Sequence, residues 1–161
     1  QAALVRLERS TSNDPEVINQ VLHDLAGATE GIENPNSKPE SIELLRALPG
    51  LWNGICEVTI NLDSYAEARL SENQGLSAVV VEIVRERIIN AVKHSSAEEI
   101  DISIQLEGDV LVISSRNEDL GVGLKLDSSK GGGSKLLDEV CQSWTLGSDM
   151  GDVVFEARVA S

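Results

Sequence analysis

The stretch that most constrains this chain is Val79 to Ser96, VVVEIVRERIINAVKHSS. Val81, Val84, Ile88 and Val92 recur at helical spacing, and Val80, Ile83 and Ala91 widen the apolar stripe. Such a stripe predicts one long helix with one face in the core. Glu82, Glu86, Asn90 and Lys93 are spaced four, four and three apart, so they stack along a second face. A carboxylate, an amide and an ammonium aligned on a half-buried helix suit a polar ligand. A solvated face with an incidental Glu-to-Lys pairing would satisfy the same spacing.

What this helix packs against must be aliphatic. Trp52, Tyr65, Trp144 and Phe155 are the chain's aromatics, so the core falls to Val, Ile, Leu and Ala. A length of 161 residues fits one domain with a short appended segment. Thirteen Lys and Arg against twenty-seven Asp and Glu give a net charge of −14. Binding a phosphate backbone relies on Lys and Arg, so nucleic acid is a poor partner. An anionic small ligand would need a local cluster of donors to offset that field. Cys56 and Cys141 lie far apart and match no metal spacing; they read as buried free thiols in a reducing compartment. No apolar run approaches a membrane span, and no signal peptide opens the chain. The chain begins without Met, as a piece of a longer protein would.

Asn13-Asp14-Pro15 reads as a helix start, with Val17, Ile18, Val21, Leu22 and Leu25 facing inward. A turn-rich linker follows from Glu30 to Lys38. Pro39-Glu40 opens a second helix through Leu44, Leu45 and Leu48 that is expected to stop near Pro49-Gly50. Cys56 to Leu62 alternates like a strand, and Asp63 to Leu76 is helical in part. Ile100 to Leu106, a turn at Glu107-Gly108-Asp109 and Val110 to Ser115 read as a hairpin. Glu118 to Ser134 is glycine-rich and nearly devoid of core residues. Leu136 to Val140 is a short helix after Gly131-Gly132-Gly133, and Ser143 to Leu146 pairs with Val153 to Val159 around Asp149-Met150-Gly151-Asp152. Hairpins mixed with helices predict an α+β two-layer sandwich.

In that setting, Arg85-Glu86-Arg87-Ile88-Ile89-Asn90-Ala91-Val92-Lys93-His94 resembles the N-box of the GHKL ATPase superfamily, in the version carried by sensor histidine kinases. The likeness runs from about Ile42 to Ala160. It implies a Bergerat-type, histidine kinase ATPase-like α/β sandwich with a mixed sheet over residues 37–161. Residues 1–36 would form an N-terminal helical segment, a candidate remnant of an upstream dimerisation region. The implied ligands are ATP and Mg²⁺. Asn90 offers a neutral oxygen to one corner of a Mg²⁺ octahedron, with Glu86 beside it. In the family the Glu matching Glu86 is the usual candidate for the catalytic role near the γ-phosphate. Lys93 and His94 would meet phosphates at the helix end, although a His there also suits the helix dipole.

Asp119-Leu120-Gly121-Val122-Gly123 matches the family's Asp-x-Gly-x-Gly, whose Asp accepts from the adenine amino group. Strand register competes with that assignment. Leu111, Ile113 and Ser115 alternate inward, which makes Asn117 the next inward residue. Either Asn117 takes the role through its amide oxygen, or the strand end is remodelled and Asp119 takes it. Register favours Asn117, a weaker acceptor than a carboxylate. Gly131-Gly132-Gly133-Ser134 corresponds to the last glycine box, able to cradle phosphates with backbone N–H groups between Lys130 and Lys135. Glu118 to Lys130 would be the ATP lid.

The chain also departs from the family pattern. Its Gly132-to-Asp138 ending is unusual, and Asp152 stands where relatives often carry Thr. His23, beside Asp24, is too close to the ATP-binding portion to head the usual two-helix hairpin, and reads as a surface residue.

The resemblance implies the Mg-ATP-binding catalytic domain of a two-component sensor histidine kinase. It would pass the γ-phosphoryl to a histidine supplied elsewhere in a longer, homodimeric protein, and onward to a response regulator. The implied placement is cytoplasmic, with any membrane tether outside this stretch. The alternatives are a non-catalytic nucleotide-binding or scaffold module of the same fold, and an anti-sigma-type serine kinase.

Overall fold

The structure is a computed structural model and describes residues 41–120 and 132–161. The expected helix at Asn13, the linker, His23, Lys130 and Gly121, Gly123 and Gly131 lie outside the described residues.

The order of elements is α1 (Ser41–Leu51), β1 (Glu57–Leu62), α2 (Ser64–Glu72), α3 (Gln74–Ser95), β2 (Glu99–Glu107), β3 (Val110–Glu118), α4 (Gly132–Val140), β4 (Ser143–Asp149) and β5 (Asp152–Ala160). Among the described residues the strands form a five-stranded sheet in the order β1-β2-β3-β5-β4. β1 runs parallel to β2, and the remaining pairs are antiparallel. The mixed α+β sandwich predicted from the sequence is therefore the observed fold.

Local chemistry explains the elements. The Asp63 side chain accepts from the Ala66 N–H and caps α2, and Asn73 accepts from the Leu76 N–H at 3.0 Å and caps α3. Ser96 ends α3 in the left-handed conformation at φ 50°, where the N–H of Ala97 reaches the Ala91 carbonyl at 3.1 Å. The β2–β3 turn carries Gly108 at φ 63°, and the β4–β5 turn carries Met150 and Gly151 at φ 51° and 88°, the pair of positive angles that suits a two-residue hairpin.

The core lies between the helices and one face of the sheet. Ile100, Ile102 and Ile104 of β2, Leu111 and Ile113 of β3, and Phe155, Ala157 and Val159 of β5 are buried on that face. Ile42, Leu45 and Leu48 of α1 and Val80, Ile83, Val84 and Ile88 of α3 cover them. Strand residues between them, such as Asp101 and Arg116, are exposed on the other face. There Arg116 spans Asp149 and Asp152 at 3.0 and 2.5 Å, which gives Asp152 an ion-pair partner that the sequence did not suggest.

α1 ends at Leu51, near Pro49-Gly50 as expected, with Pro49 tolerated in its last turn because it removes only one N–H bond there. The Trp52 N–H still reaches the Leu48 carbonyl at 3.2 Å. Two expectations are corrected. β3 extends past Ser115 to Glu118, since backbone pairing with β5 holds the polar residues Arg116, Asn117 and Glu118 in strand geometry. Cys141 is half-buried rather than buried, while Cys56 is buried and free; burial and nearby Glu99 and Glu57 push its thiol up to about 11. Among the described residues, no helix is long and apolar enough to cross a membrane.

Candidate functional site

The site is built where the second half of α3 passes over the end of β3. The Leu120 N–H donates to the Ser95 carbonyl at 2.9 Å, which ties the exit of β3 to the last turn of α3. The Asp119 N–H donates to the Gly151 carbonyl at 3.0 Å, tying the same exit to the β4–β5 turn. Two neighbouring residues are thereby fixed by two different elements. The glycine-rich segment leaves from this anchored point.

The register left open by the sequence is regular to the end. Asn117 faces Val153 and Glu118 faces Asp152 across the β3–β5 ladder. Asn117 therefore points inward and is 3 % exposed, whereas Asp119 lies beyond the strand and is half-buried. The Asn117 Nδ2 donates to the Glu118 carbonyl at 3.1 Å, and its buried Oδ1 has no partner. The orientation of the amide is fixed by that bond, because a flipped amide would set two acceptors against each other. A buried carbonyl without a donor costs about 1–3 kcal/mol. It is a buried acceptor on the covered face of the sheet, at the exit of β3.

On α3, Glu86 and Asn90 are half-buried, one turn apart, while Glu82, Lys93 and His94 are exposed. Glu82 pairs instead with Arg85 at 3.0 Å. Lys93 and His94 stand in the last turn of α3, where cations complement the helix dipole. Gly132, Gly133 and Ser134 open α4. That helix seats Leu136, Leu137 and Val140 against the core, and Asp138 accepts from the Trp144 indole at 2.9 Å.

Sequence reasoning gave no role to Arg87. It interrupts the apolar stripe of α3 between Val84 and Ile88 and is 4 % exposed. Its Nε donates to the Ser115 Oγ at 3.2 Å, its guanidinium carbon lies 4.8 Å from the centroid of the Phe155 ring, and its buried Nη2 has no partner. Among the described residues no carboxylate pairs with it, so burial alone pushes the guanidinium down to about 10. It is still a cation at neutral pH. The signal was present: Arg87 lies four residues from both Ile83 and Ala91, on the buried side.

The chemistry available is thus a buried amide acceptor, a buried cationic donor one pleat away at Ser115, and a carboxylate-amide pair on the flank of the covering helix. Among the described residues, no group of three or more His, Cys, Asp or Glu could hold a metal. Mg²⁺ is ordinarily held by one or two side-chain oxygens together with ligand phosphates, and Asn90 and Glu86 provide such oxygens.

This architecture is that of the catalytic domains of histidine kinases. The chain is similar to the histidine kinase domain of the Erythrobacter litoralis EL346 blue-light activated histidine kinase, at 11 % identity over 99 % of this chain and 91 % of that one, with a TM-score of 0.56. Against a longer chain of the same kinase the TM-score is 0.59 at 12 % identity, and the match spans 76 % of this chain but 42 % of that one. The Acinetobacter baumannii histidine kinase AdeS matches at 13 % identity over 90 % of this chain and 80 % of its own, with a TM-score of 0.52. No family model matches the sequence, and no curated protein matches it. The shared property is the fold.

Proposed function

We propose that residues 37–161 form the Mg-ATP-binding catalytic module of a sensor histidine kinase, with residues 1–36 as a helical segment leading into it. The observation that carries this reading is the buried, unpartnered Oδ1 of Asn117 at the anchored end of β3. An exocyclic adenine amino group is a donor of the right chemistry to satisfy it.

The other roles follow from position. Asn90 and Glu86 would hold Mg²⁺, which would supply positive charge to offset that of the phosphates. Glu86, half-buried and acceptor-only when ionised, orients the incoming acceptor group or takes its proton. Lys93 and His94 supply cationic donors to the phosphates from the end of α3. The N–H groups of Gly132, Gly133 and Ser134 at the start of α4 are donors for phosphate oxygens, with Gly121, Gly123 and Gly131 completing the glycine boxes. Asp119 shapes the exit of β3 through its backbone. The acceptor histidine, a response regulator and a homodimeric assembly belong to the longer protein this reading requires, placed in the cytoplasm.

Calorimetric titration with Mg-ATP tests the reading, with Asn90→Ala as the control. Binding that depends on Mg²⁺ and weakens at least tenfold in the variant is expected. Transfer of labelled phosphoryl from ATP to a supplied histidine segment would then establish the kinase step. Asn117 also favours a second reading. A neutral amide accepts less strongly than a carboxylate, which suits a nucleotide-binding module without phosphotransfer. Binding without transfer would select it, and transfer to a serine of a partner protein would select the anti-sigma-type alternative.

A further inference from the structure

Ser115 and Asn117 share one face of β3, two residues and so about 7 Å apart along the strand. Both point at α3, and across the ladder Phe155 and Val153 flank them. At Ser115 the facing group is Arg87, held by the Ser115 hydroxyl and lying over Phe155, with Nη2 unpartnered. One pleat on, at Asn117, the free group is an acceptor. A free donor and a free acceptor thus lie one pleat apart on one face of β3, between the same two layers, an arrangement of the kind the edge of an aminopurine complements. That edge carries an amino donor next to a ring-nitrogen acceptor.

We propose that Arg87 is a specificity-determining residue of the nucleotide site, donating through its unpartnered Nη2 to the ring nitrogen adjacent to the adenine amino group that Asn117 accepts from. This rests on the nucleotide-binding reading given above. A guanidinium buried without a counter-charge costs stability in the empty protein, and the ligand's acceptor offsets part of that cost. Arg87 is thus a recognition group that makes the empty fold less stable.

The test uses Mg-ADP and Mg-1-deaza-ADP, the ADP analogue in which that ring nitrogen is replaced by CH, titrated into the wild type and Arg87→Met. Wild-type protein is expected to bind the analogue at least tenfold more weakly than Mg-ADP. Arg87→Met should bind both alike, at about the wild type's affinity for the analogue, and melt at the same or a higher temperature. Equal binding of the two ligands by the wild type would overturn the proposal, with Arg87 then satisfied by an internal water. So would a variant that discriminates as the wild type does. A wild type that binds neither ligand would remove the nucleotide reading itself, an outcome distinct from the others. The wild-type comparison needs no substitution, so it decides the matter even if Arg87→Met does not fold.

Discussion

The interface between α3 and the sheet has two halves built by the same elements. In the first half Val80, Ile83 and Val84 meet Ile104, Leu111 and Ile113, all buried and all apolar. Among the described residues the one unpartnered polar atom there is the buried Ser77 hydroxyl near the start of α3. In the second half Arg87 meets Ser115 and Phe155, with Asn117 beyond, and two buried polar atoms lack partners. Moving a few residues along one helix and one strand thus exchanges a largely apolar core for an unmatched cationic donor and an unmatched carbonyl acceptor. The first half stabilises the fold through apolar burial; the second costs stability unless something fills it. A protein that needed only to fold would gain by making the second half like the first.

The largest effect that would break this contrast is in the apolar half. Ile113→Ala should destabilise the protein by about 2–5 kcal/mol, because the cavity adds to the lost transfer energy. Denaturant titration measures it, and nucleotide affinity of the folded fraction should be unchanged. Asn117→Leu sharpens the contrast from the other side. It fills the same space without an orphaned carbonyl, so the melting temperature should hold or rise while adenine-nucleotide affinity falls at least tenfold. Asn117→Asp should instead tighten adenine binding by a few-fold in the same calorimetric assay, since a carboxylate accepts more strongly and Arg87 lies nearby.

The remaining two predictions concern groups outside the contrast. Cys56, with its thiol pushed up to about 11, stabilises the fold in its neutral form. A folded pKa above the unfolded one gives a contribution fully present below the ordinary thiol pKa and lost as pH climbs towards 11. Melting temperature should therefore fall over that alkaline interval, and Cys56→Ala should flatten the fall. Smallest is Arg116→Ala on the exposed face, which removes two solvent-screened ion pairs. Its melting curve should coincide with the wild type's.

The sequence disclosed the apolar half of the interface well and the polar half poorly. Helical spacing of Val81, Val84, Ile88 and Val92 located α3, and strict alternation from Ile100 located β2, because both patterns record a one-sided core directly. Register carried inward from Leu111 also predicted the direction of Asn117, which the strand confirms. The end of β3 was harder to read. Arg116-Asn117-Glu118 has no apolar alternation, and only pairing with β5 makes it strand. Arg87 was missed for a related reason. An arginine directly after Glu86 on a helix suggests solvent, and composition does not reveal that Ser115 and Phe155 wait across the interface.

The central claim is that the free carbonyl of Asn117 receives an adenine base. Titrating Mg-ADP into wild type and Asn117→Leu side by side tests it most directly, with melting curves taken on the same samples. The account predicts saturable binding to the wild type and at least tenfold weaker binding to a variant that melts no lower. Equal affinity in the two proteins, or no binding to a folded wild type, would contradict it.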